Sequence, residues 1–258
     1  MKRYYRLPIF LLISVLITDC STLVKSHERR RLGKKLYSRI TKSDIPYRVL
    51  AESVEGRQIY LLELGEGDST TLILGGFHGS ELSGVQLVHR FAEYLYQKPQ
   101  TALTSRVIIV PVLNPDGLVN AQRTNASGVD INRNFPTANW SEKHKSTKNF
   151  PGLSPASEPE TQAIIALLDT YTPQRIISVH APLKMVNYDG PALDLANEMA
   201  SHNGYPVDSD IGYATPGSFG TYAGKERSIP TITLELPRHS PEAIWEENKR
   251  ALQATIKY

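Results

Sequence analysis

The sequence predicts a single α/β domain built on a mixed, mainly parallel sheet with helices on both faces. Short apolar runs, which are typical of buried strands, alternate with longer amphipathic segments, which are typical of helices. The chain has 258 residues, of which 40% are hydrophobic and 21% charged, so it is long enough to bury one substantial core. No internal repeat interrupts this order.

The individual strands and helices are predicted from residue 47 onward. The predicted strands are 47–54, 58–64, 70–77, 106–112, 175–179 and 230–236, and the predicted helices are 82–97, 157–168, 192–202 and 241–256. A Glu55-Gly56-Arg57 turn between the first two strands indicates a hairpin. Ser157 and Glu160 predict an N-cap and a capping box for the second helix. Residues 113–155 are predicted to form a long irregular loop, and loops of this length are usually functional.

The first 20 residues predict a targeting segment. A basic start is followed by an apolar stretch at 7–17, which suits a signal peptide and is shorter than the roughly 20 residues of a membrane-spanning helix. Cys20 resembles the lipid-modified residue of a bacterial lipoprotein, although Asp19 before it is atypical. Lipidation at Cys20, a cleaved signal and an uncleaved anchor are the alternatives, and each implies an exported protein that is periplasmic or anchored to a membrane.

Composition limits the remaining possibilities. Residues 21–44 include a basic run at 25–35 and are predicted to be a solvated linker, in which the positive charge can also attract anionic lipid. Residues 45–258 are predicted to be the folded domain. A formal net charge of +3 gives no indication of nucleic-acid binding. The single cysteine excludes an intrachain disulfide and a thiolate metal cluster.

Three residues at predicted strand ends carry metal-binding chemistry. His78 and Glu81 lie between the strand at 70–77 and the helix that follows, and their i, i+3 spacing can direct both side chains at one metal ion. His180 follows another buried strand. Ligands of open α/β sheets bind at the carboxyl ends of the strands, so these residues predict a zinc site. The alternative for His78 and Glu81 is a polar turn that only caps the helix.

Acid–base and cationic groups complete the predicted site. Glu235 lies in an apolar strand, where it suits the general base that zinc-dependent hydrolysis needs; its alternative is an outward-facing strand residue. Arg123 and Arg133 lie in the long loop. One guanidinium near the metal polarises a scissile carbonyl and another binds a substrate carboxylate, whereas surface ion pairing is the alternative for each.

Six motifs occur in one order along the chain: HGSE, NPDG, RTNASGVDINRNFP, SEPET, SVH and LELP. In that order they resemble the zinc carboxypeptidases of the M14 type. The resemblance implies one zinc ion bound by His78, Glu81 and His180, Glu235 as the general base, Arg123 as the carbonyl-polarising group, Asn132 and Arg133 as the carboxylate clamp, and Tyr213 as a mobile cover over the substrate.

Within that family the chain is most similar to the small bacterial murein peptide amidases, on the evidence of the RTNASGVDINRNFP and TPGSFGTYAG stretches. The resemblance implies a peptide or muropeptide substrate, cleaved between the γ-carboxyl of D-glutamate and meso-diaminopimelate. Ala181 stands where digestive carboxypeptidases have serine. Asp130 either orients a ligand histidine or caps the loop. A general metallocarboxypeptidase, a non-catalytic binder of peptidoglycan fragments and a deacylase of acyl amino acids are the competing functions.

Overall fold

The computed structural model describes residues 10–99 and 103–257. An eight-stranded sheet forms the centre of the domain, in the order β1-β2-β4-β3-β5-β8-β6-β7. Its strands are β1 (Arg48–Glu52), β2 (Gln58–Leu64), β3 (Thr70–Gly75), β4 (Arg106–Val110), β5 (Arg175–His180), β6 (Met185–Asp189), β7 (Val207–Asp208) and β8 (Thr231–Glu235).

The sheet is mixed, with a parallel centre. Strands β4, β3, β5 and β8 pair in parallel, whereas β1 with β2, β2 with β4 and β6 with β8 are antiparallel. The antiparallel β1–β2 pair is the hairpin that the sequence predicts. β3 is buried along its whole length because it lies between two neighbours and under helices on both faces.

Helices cover both faces of the sheet, which confirms the predicted fold class. The helices are α1 (Phe10–Thr41), α2 (Leu82–Tyr96), α3 (Pro115–Asn120), α4 (Pro159–Tyr171), α5 (Leu193–Asn203) and α6 (Pro241–Lys257). Apolar residues of α2, α5 and α6 pack with one set of strand side chains. Those of α4 pack with the alternate set on the opposite face. The core therefore consists of two layers, one on each face of the sheet.

Two strands, β6 and β7, and two helices, α1 and α3, were not predicted from the sequence. Strand β6 contains Asn187 and Asp189, which interrupt the apolar pattern of a buried strand, and β7 has only two residues. Helix α3 is also short, and Asn114 caps it by accepting a hydrogen bond from the N–H of Gly117 at 2.8 Å. The NPDG motif therefore forms the N-cap and the first turn of this helix.

The predicted capping box at Ser157 is wrong. Helix α4 begins at Pro159, and its N-cap residue is Glu158, which makes no side-chain capping bond. The Ser157 hydroxyl instead donates to Glu158 Oε1. The Glu160 carboxylate turns inward and accepts hydrogen bonds from the side chain of Asn125 and the backbone N–H of Val54. Tertiary contacts therefore use the groups that a local capping box would need.

The predicted linker at 21–44 is also wrong for most of its length, because α1 extends to Thr41. Leu36 and Ile40 of this helix are buried against residues that include Val85 and Leu118. Gly33 packs so closely on the carbonyl of Leu118 that a Cβ would collide with it. The basic residues between 25 and 35 point away from these contacts and are exposed to solvent.

The predicted targeting segment lies only partly within the described residues. Residues 1–9 are outside them, and the remainder, with Cys20, forms the first part of α1. Within the described ranges, every helix is too short or too polar to span a bilayer.

Candidate metal centre and active site

The candidate site lies at the edge of the sheet where β3, β5 and β8 end. His180 is the last residue of β5, and the strand register places it directly beside Glu235, the last residue of β8. On its other side β5 pairs with β3 as far as Gly75, and three residues later the chain reaches His78. The carboxyl ends of parallel strands meet at one edge, so residues far apart in sequence become neighbours here.

Three side chains at this edge converge on one point. Nδ1 of His78 lies 2.7 Å from Oε1 of Glu81. Nδ1 of His180 lies 3.2 Å from Oε2 of Glu81 and 3.2 Å from Nδ1 of His78. The three potential ligand atoms lie within 4.8 Å of one another. Two imidazole nitrogens and one carboxylate form a ligand set of catalytic zinc, so the donors that the chain brings together fit one zinc ion.

Asp130 fixes the orientation of the first histidine. Nε2 of His78 donates to Oδ1 of Asp130 at 3.0 Å, which leaves the lone pair of Nδ1 directed at the metal position. The same carboxylate oxygen accepts from the backbone N–H of Asn132 at 3.1 Å. Asp130 therefore both orients the histidine and caps the loop, so the two roles considered from the sequence occur together.

Glu81 contributes to the site at the expense of its own helix. It occupies the N-cap position of α2, yet its side chain makes no capping bond and instead faces the two histidines. Burial opposes ionisation of this carboxyl, but the charges and hydrogen bonds of His78 and His180 lower its pKa well below the usual range. The carboxylate is therefore held in the ionised form that a metal ion requires.

Arg123 lies beside the metal position. Its Nε and Nη2 both donate to Oδ2 of Asp130, at 3.0 and 2.9 Å, so two charge-assisted hydrogen bonds to one oxygen hold the guanidinium. The remaining nitrogen, Nη1, lies 3.3 Å from Nδ1 of His78 and 3.5 Å from Oε1 of Glu81. This geometry directs one positively charged donor at the space next to the ligand atoms.

Glu235 lines the same cavity and is buried. Its Oε2 accepts from the backbone N–H of Leu183 at 3.4 Å. Burial raises the pKa of this carboxyl, and the nearby negative charge of Glu81 adds to the rise, while His180 opposes it. A carboxyl with a raised pKa close to metal ligands is suited to accept and return a proton.

The other side of the cavity is cationic and has a partly open rim. Only 6% of Arg133 is exposed, and none of the carboxylates in the described part of the chain forms an ion pair with it. The neighbouring Asn132 uses its Oδ1 to accept from the N–H of Phe219 at 2.8 Å. Tyr213 also lines the cavity and is 52% exposed. A buried guanidinium without a carboxylate partner is ready to bind an anion.

The structure thus brings all eight site residues predicted from the sequence to one cavity, lined by His78, Glu81, Arg123, Asn132, Arg133, His180, Tyr213 and Glu235 among others. Sequence reasoning missed Asn187 and Asp189, which line it from β6. The available signal was their i, i+2 spacing, which places both on one face of a strand.

Two of the sequence motifs pack directly on each other beneath the site. A Cβ on Gly79 of HGSE would collide with the backbone of Gly117 of NPDG. Asn114 donates from its side-chain amide to the carbonyl of Phe77 at 3.2 Å and to that of Arg123 at 3.3 Å. Asn114 thereby connects the backbone of Phe77, which precedes His78, to the backbone of Arg123 in the long loop.

Comparison with known proteins agrees with this geometry. The family profile described as zinc carboxypeptidase (peptidase M14) matches residues 37–192. Murein peptide amidase A of Vibrio campbellii is 35% identical over 206 residues, which cover 75% of this chain and 79% of that protein. Murein peptide amidase A of Escherichia coli K12 is 33% identical over 198 residues, which cover 72% of this chain and 79% of that protein.

Solved structures with the same fold include murein-tripeptide amidase MpaA from Escherichia coli O157. It matches with a TM-score of 0.72 and 29% identity, covering 82% of this chain and 92% of that one. Bovine thrombin-activatable fibrinolysis inhibitor, in complex with tick carboxypeptidase inhibitor, also has a TM-score of 0.72, at 20% identity, with 90% of this chain and 94% of that one covered. At this lower identity the likeness concerns the fold alone.

The matched profile spans more than half of the chain, and the donors at the sheet edge fit the metal in the family's name. The chain therefore belongs to the zinc carboxypeptidase family, and it is a zinc-dependent hydrolase that acts on peptide bonds.

Proposed function

We propose that this protein is an amidase that cleaves murein peptides at the amide bond preceding a residue with a free carboxylate. The observation that carries the proposal is the arrangement of one cavity. A zinc-ligand set and a buried carboxyl lie on one side, and on the other lies the guanidinium of Arg133, which donates to the carbonyl of Asn132 and, in the described part of the chain, has no carboxylate within ion-pair distance. The murein peptide amidases among its relatives support the choice of substrate.

The proposed ligands of the zinc ion are His78, Glu81 and His180. When bound, zinc lowers the pKa of a coordinated water towards ~7 and polarises a carbonyl oxygen. The chain's own residues hold the ligands ready, since Asp130 fixes His78 and the N–H of Ala181 donates to Oε2 of Glu81 at 3.2 Å.

Glu235 is the proposed general base. Its place beside His180 in the strand register puts the carboxyl at the cavity wall next to the ligand atoms. It accepts the proton of the attacking water and returns it to the amine that leaves. Burial raises the pKa of this carboxyl, which makes it a better proton acceptor than an exposed glutamate and suits it to both steps.

Arg123 stabilises the negative charge that develops on the carbonyl oxygen. Its Nη1 is directed at the metal position and its other two donors are held by Asp130, so no reorientation is needed during the reaction. A single pre-oriented donor of this kind typically contributes on the order of 100- to 1,000-fold in kcat.

Arg133 and Asn132 bind the free carboxylate of the residue that leaves. The carboxylate supplies the charge partner that the buried guanidinium lacks. Tyr213 lies on the exposed rim and closes over the bound substrate. This clamp requires a substrate end with a free carboxylate and excludes internal peptide bonds.

The test compares two purified variants on two substrates. Wild-type enzyme with one bound zinc ion should hydrolyse L-Ala-γ-D-Glu-meso-diaminopimelate in preference to benzoylglycyl dipeptides. Glu235→Gln should keep its zinc and lose ~100- to 10,000-fold in kcat. Glu242→Gln, an exposed residue in the first turn of α6, is the matched control and should match wild type.

Different outcomes separate the competing functions. Efficient cleavage of the benzoylglycyl dipeptides alone would identify a general metallocarboxypeptidase. Tight binding of the tripeptide without turnover would identify a binding protein. Full activity of Glu235→Gln would refute the role of that carboxyl.

We also propose that the protein is exported and acts on the cell wall from the periplasm or from a membrane anchor. The basic start, the short apolar stretch at 7–17 and Cys20 support this placement. Cell fractionation should find the mature protein outside the cytoplasm. If Cys20 is lipidated, Cys20→Ala releases the protein from the membrane fraction, whereas a cytoplasmic protein with an intact N-terminus contradicts export.

A further inference from the structure

Positive charge is concentrated on one helix of the protein. The formal net charge of the whole chain is only +3 because opposite charges cancel. Residues 24–41, the second half of α1, contain seven lysines and arginines and one acidic residue, a net charge of +6. Residues 42–258 contain 19 basic and 24 acidic residues, a net charge of −5. This asymmetry indicates that the helix meets an anionic partner.

Four of these cations form one side of α1, the basic face, which consists of Arg30, Arg31, Lys34 and Lys35. All four residues are exposed. At about 3.6 residues per turn, they lie on the side of the helix opposite Leu36 and Ile40. Those two apolar residues are buried against the domain, so the basic face is directed outward.

The opposite side of α1 is held on the domain by polar contacts as well. The hydroxyl of Tyr37 donates to the carbonyl of Gln58 at 2.9 Å. Nη2 of Arg39 donates to both carboxylate oxygens of Glu93 on α2, each at 2.9 Å. Because these contacts fix the rotation of the helix, the basic face keeps its outward direction relative to the domain.

The basic face has no internal charge partner. Among residues 10–99 and 103–257, no carboxylate lies within ion-pair distance of its four side chains. Arg30 with Lys34 and Arg31 with Lys35 are spaced i, i+4, so the like charges of each pair repel each other. Mixed charges would make a helix that faces only water more stable. The uniform sign therefore favours an anionic surface over plain solvation.

Apolar residues near the basic face favour a bilayer over nucleic acid. The helix begins at Phe10, inside the apolar stretch at 7–17 of the sequence. Val24 and Leu32 are 65% and 41% exposed. Helices that lie in a membrane interface combine lysines and arginines with apolar side chains that enter the headgroup region. Binding to nucleic acid is dominated by phosphate charge, and exposed apolar residues add little to it.

We propose that the basic face of α1 binds the surface of an anionic phospholipid bilayer, with the helix lying along that surface between the lipid and the domain. Lipid phosphates supply the charge partners of the four cations. The family profile begins at residue 37, so the basic face precedes the segment shared with the family.

The position of α1 determines where the bilayer lies relative to the active site. α1 packs on α3, which follows the carboxyl end of β4. The metal-ligand residues follow the carboxyl ends of the neighbouring parallel strands. A bilayer bound to the basic face therefore lies beside the catalytic edge of the sheet. This binding is independent of the murein amidase assignment and is tested without a substrate.

The test is co-sedimentation of the full chain with lipid vesicles. One set contains phosphatidylcholine alone, and in the other a third of the lipid is phosphatidylglycerol. Each cation near an anionic surface contributes about fivefold in affinity. Wild type should therefore bind the anionic vesicles on the order of 100-fold more tightly at ~0.1 M salt. At ~1 M salt, where the Debye length is ~3 Å, most of this difference should disappear.

Two triple variants with the same change in charge locate the binding surface. Arg31→Gln with Lys34→Gln and Lys35→Gln should lower the affinity for anionic vesicles by ~100-fold and leave that for neutral vesicles unchanged. Glutamine keeps the helix propensity of these positions, and unchanged zinc binding and free energy of unfolding verify the fold. The matched control removes three exposed lysines of the long loop, by Lys143→Gln, Lys145→Gln and Lys148→Gln, and should bind like wild type.

Three results would overturn the proposal. Equal wild-type affinity for neutral and anionic vesicles would show that apolar residues alone bind lipid. Equal losses in the two triple variants would assign the binding to net charge rather than to the basic face. Binding of a DNA duplex that requires the basic face, without a preference for anionic vesicles, would identify nucleic acid as the partner instead.

Discussion

Asp130→Asn is the substitution with the sharpest expected effect on zinc binding. The wild-type carboxylate is fully buried and joins the imidazole of His78 to the guanidinium of Arg123. Asparagine has the same shape but replaces one oxygen with an NH2 group, which only donates. Asparagine can therefore accept a hydrogen bond from either His78 or Arg123, and its NH2 group then faces the donors of the other residue.

Both orientations of the new amide are costly. With its oxygen towards His78, the NH2 group faces the two N–H donors of Arg123 and loses both charge-assisted bonds, each worth ~1.5–3 kcal/mol. With its oxygen towards Arg123, the NH2 group makes Nε2 of His78 an acceptor, which moves the imidazole proton to Nδ1 and removes the lone pair from the metal position. We expect zinc affinity to fall by ~10- to 100-fold, which corresponds to about 1.4–2.7 kcal/mol.

Zinc dissociation constants are measured by competition with a chromogenic chelator, and free energies of unfolding by denaturant titration of the zinc-free proteins. Asp116→Asn is the matched control because Asp116 is a buried aspartate whose hydrogen bonds go to Ser53, Glu55 and Arg57 rather than to the metal ligands. Both variants should be less stable than wild type, because each loses charge-assisted hydrogen bonds between a buried carboxylate and a partly exposed arginine. Only Asp130→Asn should also weaken zinc binding.

Wild-type zinc affinity in Asp130→Asn, together with wild-type kcat/KM, would refute the role assigned to this carboxylate. An equal loss of zinc affinity in Asp116→Asn would show that general destabilisation, rather than orientation of His78, controls metal binding.

Three further changes test other parts of the structure. Arg133→Met should lower kcat/KM for a substrate with a free carboxylate by ~100-fold, from the loss of a buried charge pair, and an unchanged preference for the acid over its C-terminal amide would contradict the clamp. Chelation of zinc should lower the midpoint of thermal unfolding, since free zinc at about 100 times its Kd adds ~2.7 kcal/mol; a midpoint that does not recover when zinc is restored would contradict this. Burial raises the pKa of Glu160 above its usual 4.5. Between the pKa of the unfolded chain and the raised pKa of the folded state, the folded state therefore binds more protons than the unfolded chain. The free energy of unfolding falls as pH rises through this range, by at most ~1.4 kcal/mol per pH unit. The difference in free energy of unfolding between wild type and Glu160→Gln, measured by denaturant titration from acid to neutral pH, should show this slope, and a pH-independent difference would contradict it.

The elements that the sequence predicts well are those whose signal is local. The run at 70–77 is apolar because β3 is buried on both faces, and His78 and Glu81 follow it at a fixed spacing. Their convergence with His180 required only that parallel strands end at one edge. The fold class and the position of the metal site could therefore be obtained from chain order and spacing.

The elements that it predicts poorly depend on contacts distant in sequence. Ser157 has the residue type of an N-cap, but Glu160 is recruited by Asn125 on another loop, so the capping box does not form. Asp189 breaks the apolar pattern of a buried strand because it faces the substrate cavity. A polar residue that faces a substrate cavity can bind ligands there, and the same polarity interrupts the apolar pattern by which a buried strand is predicted.

The basic N-terminal segment shows how composition can conceal a helix. Its many charged residues predict a solvated linker, whereas Leu36 and Ile40 are spaced i, i+4 and cover residues that include Val85 and Leu118. Two apolar residues at helical spacing were enough to attach this segment to the domain. The charged residues occupy only the exposed side of this helix, so they gave no indication of its buried side.

The start of α2 shows a conflict between folding and chemistry. A serine or aspartate in place of Glu81 would cap the helix and stabilise it by ~1 kcal/mol, yet neither side chain reaches as far as glutamate does. Selection for thermal resistance alone would therefore favour replacements that abolish turnover. The uncapped first turn is a stability cost, and the proposed role of the same carboxylate as a zinc ligand explains why it is retained.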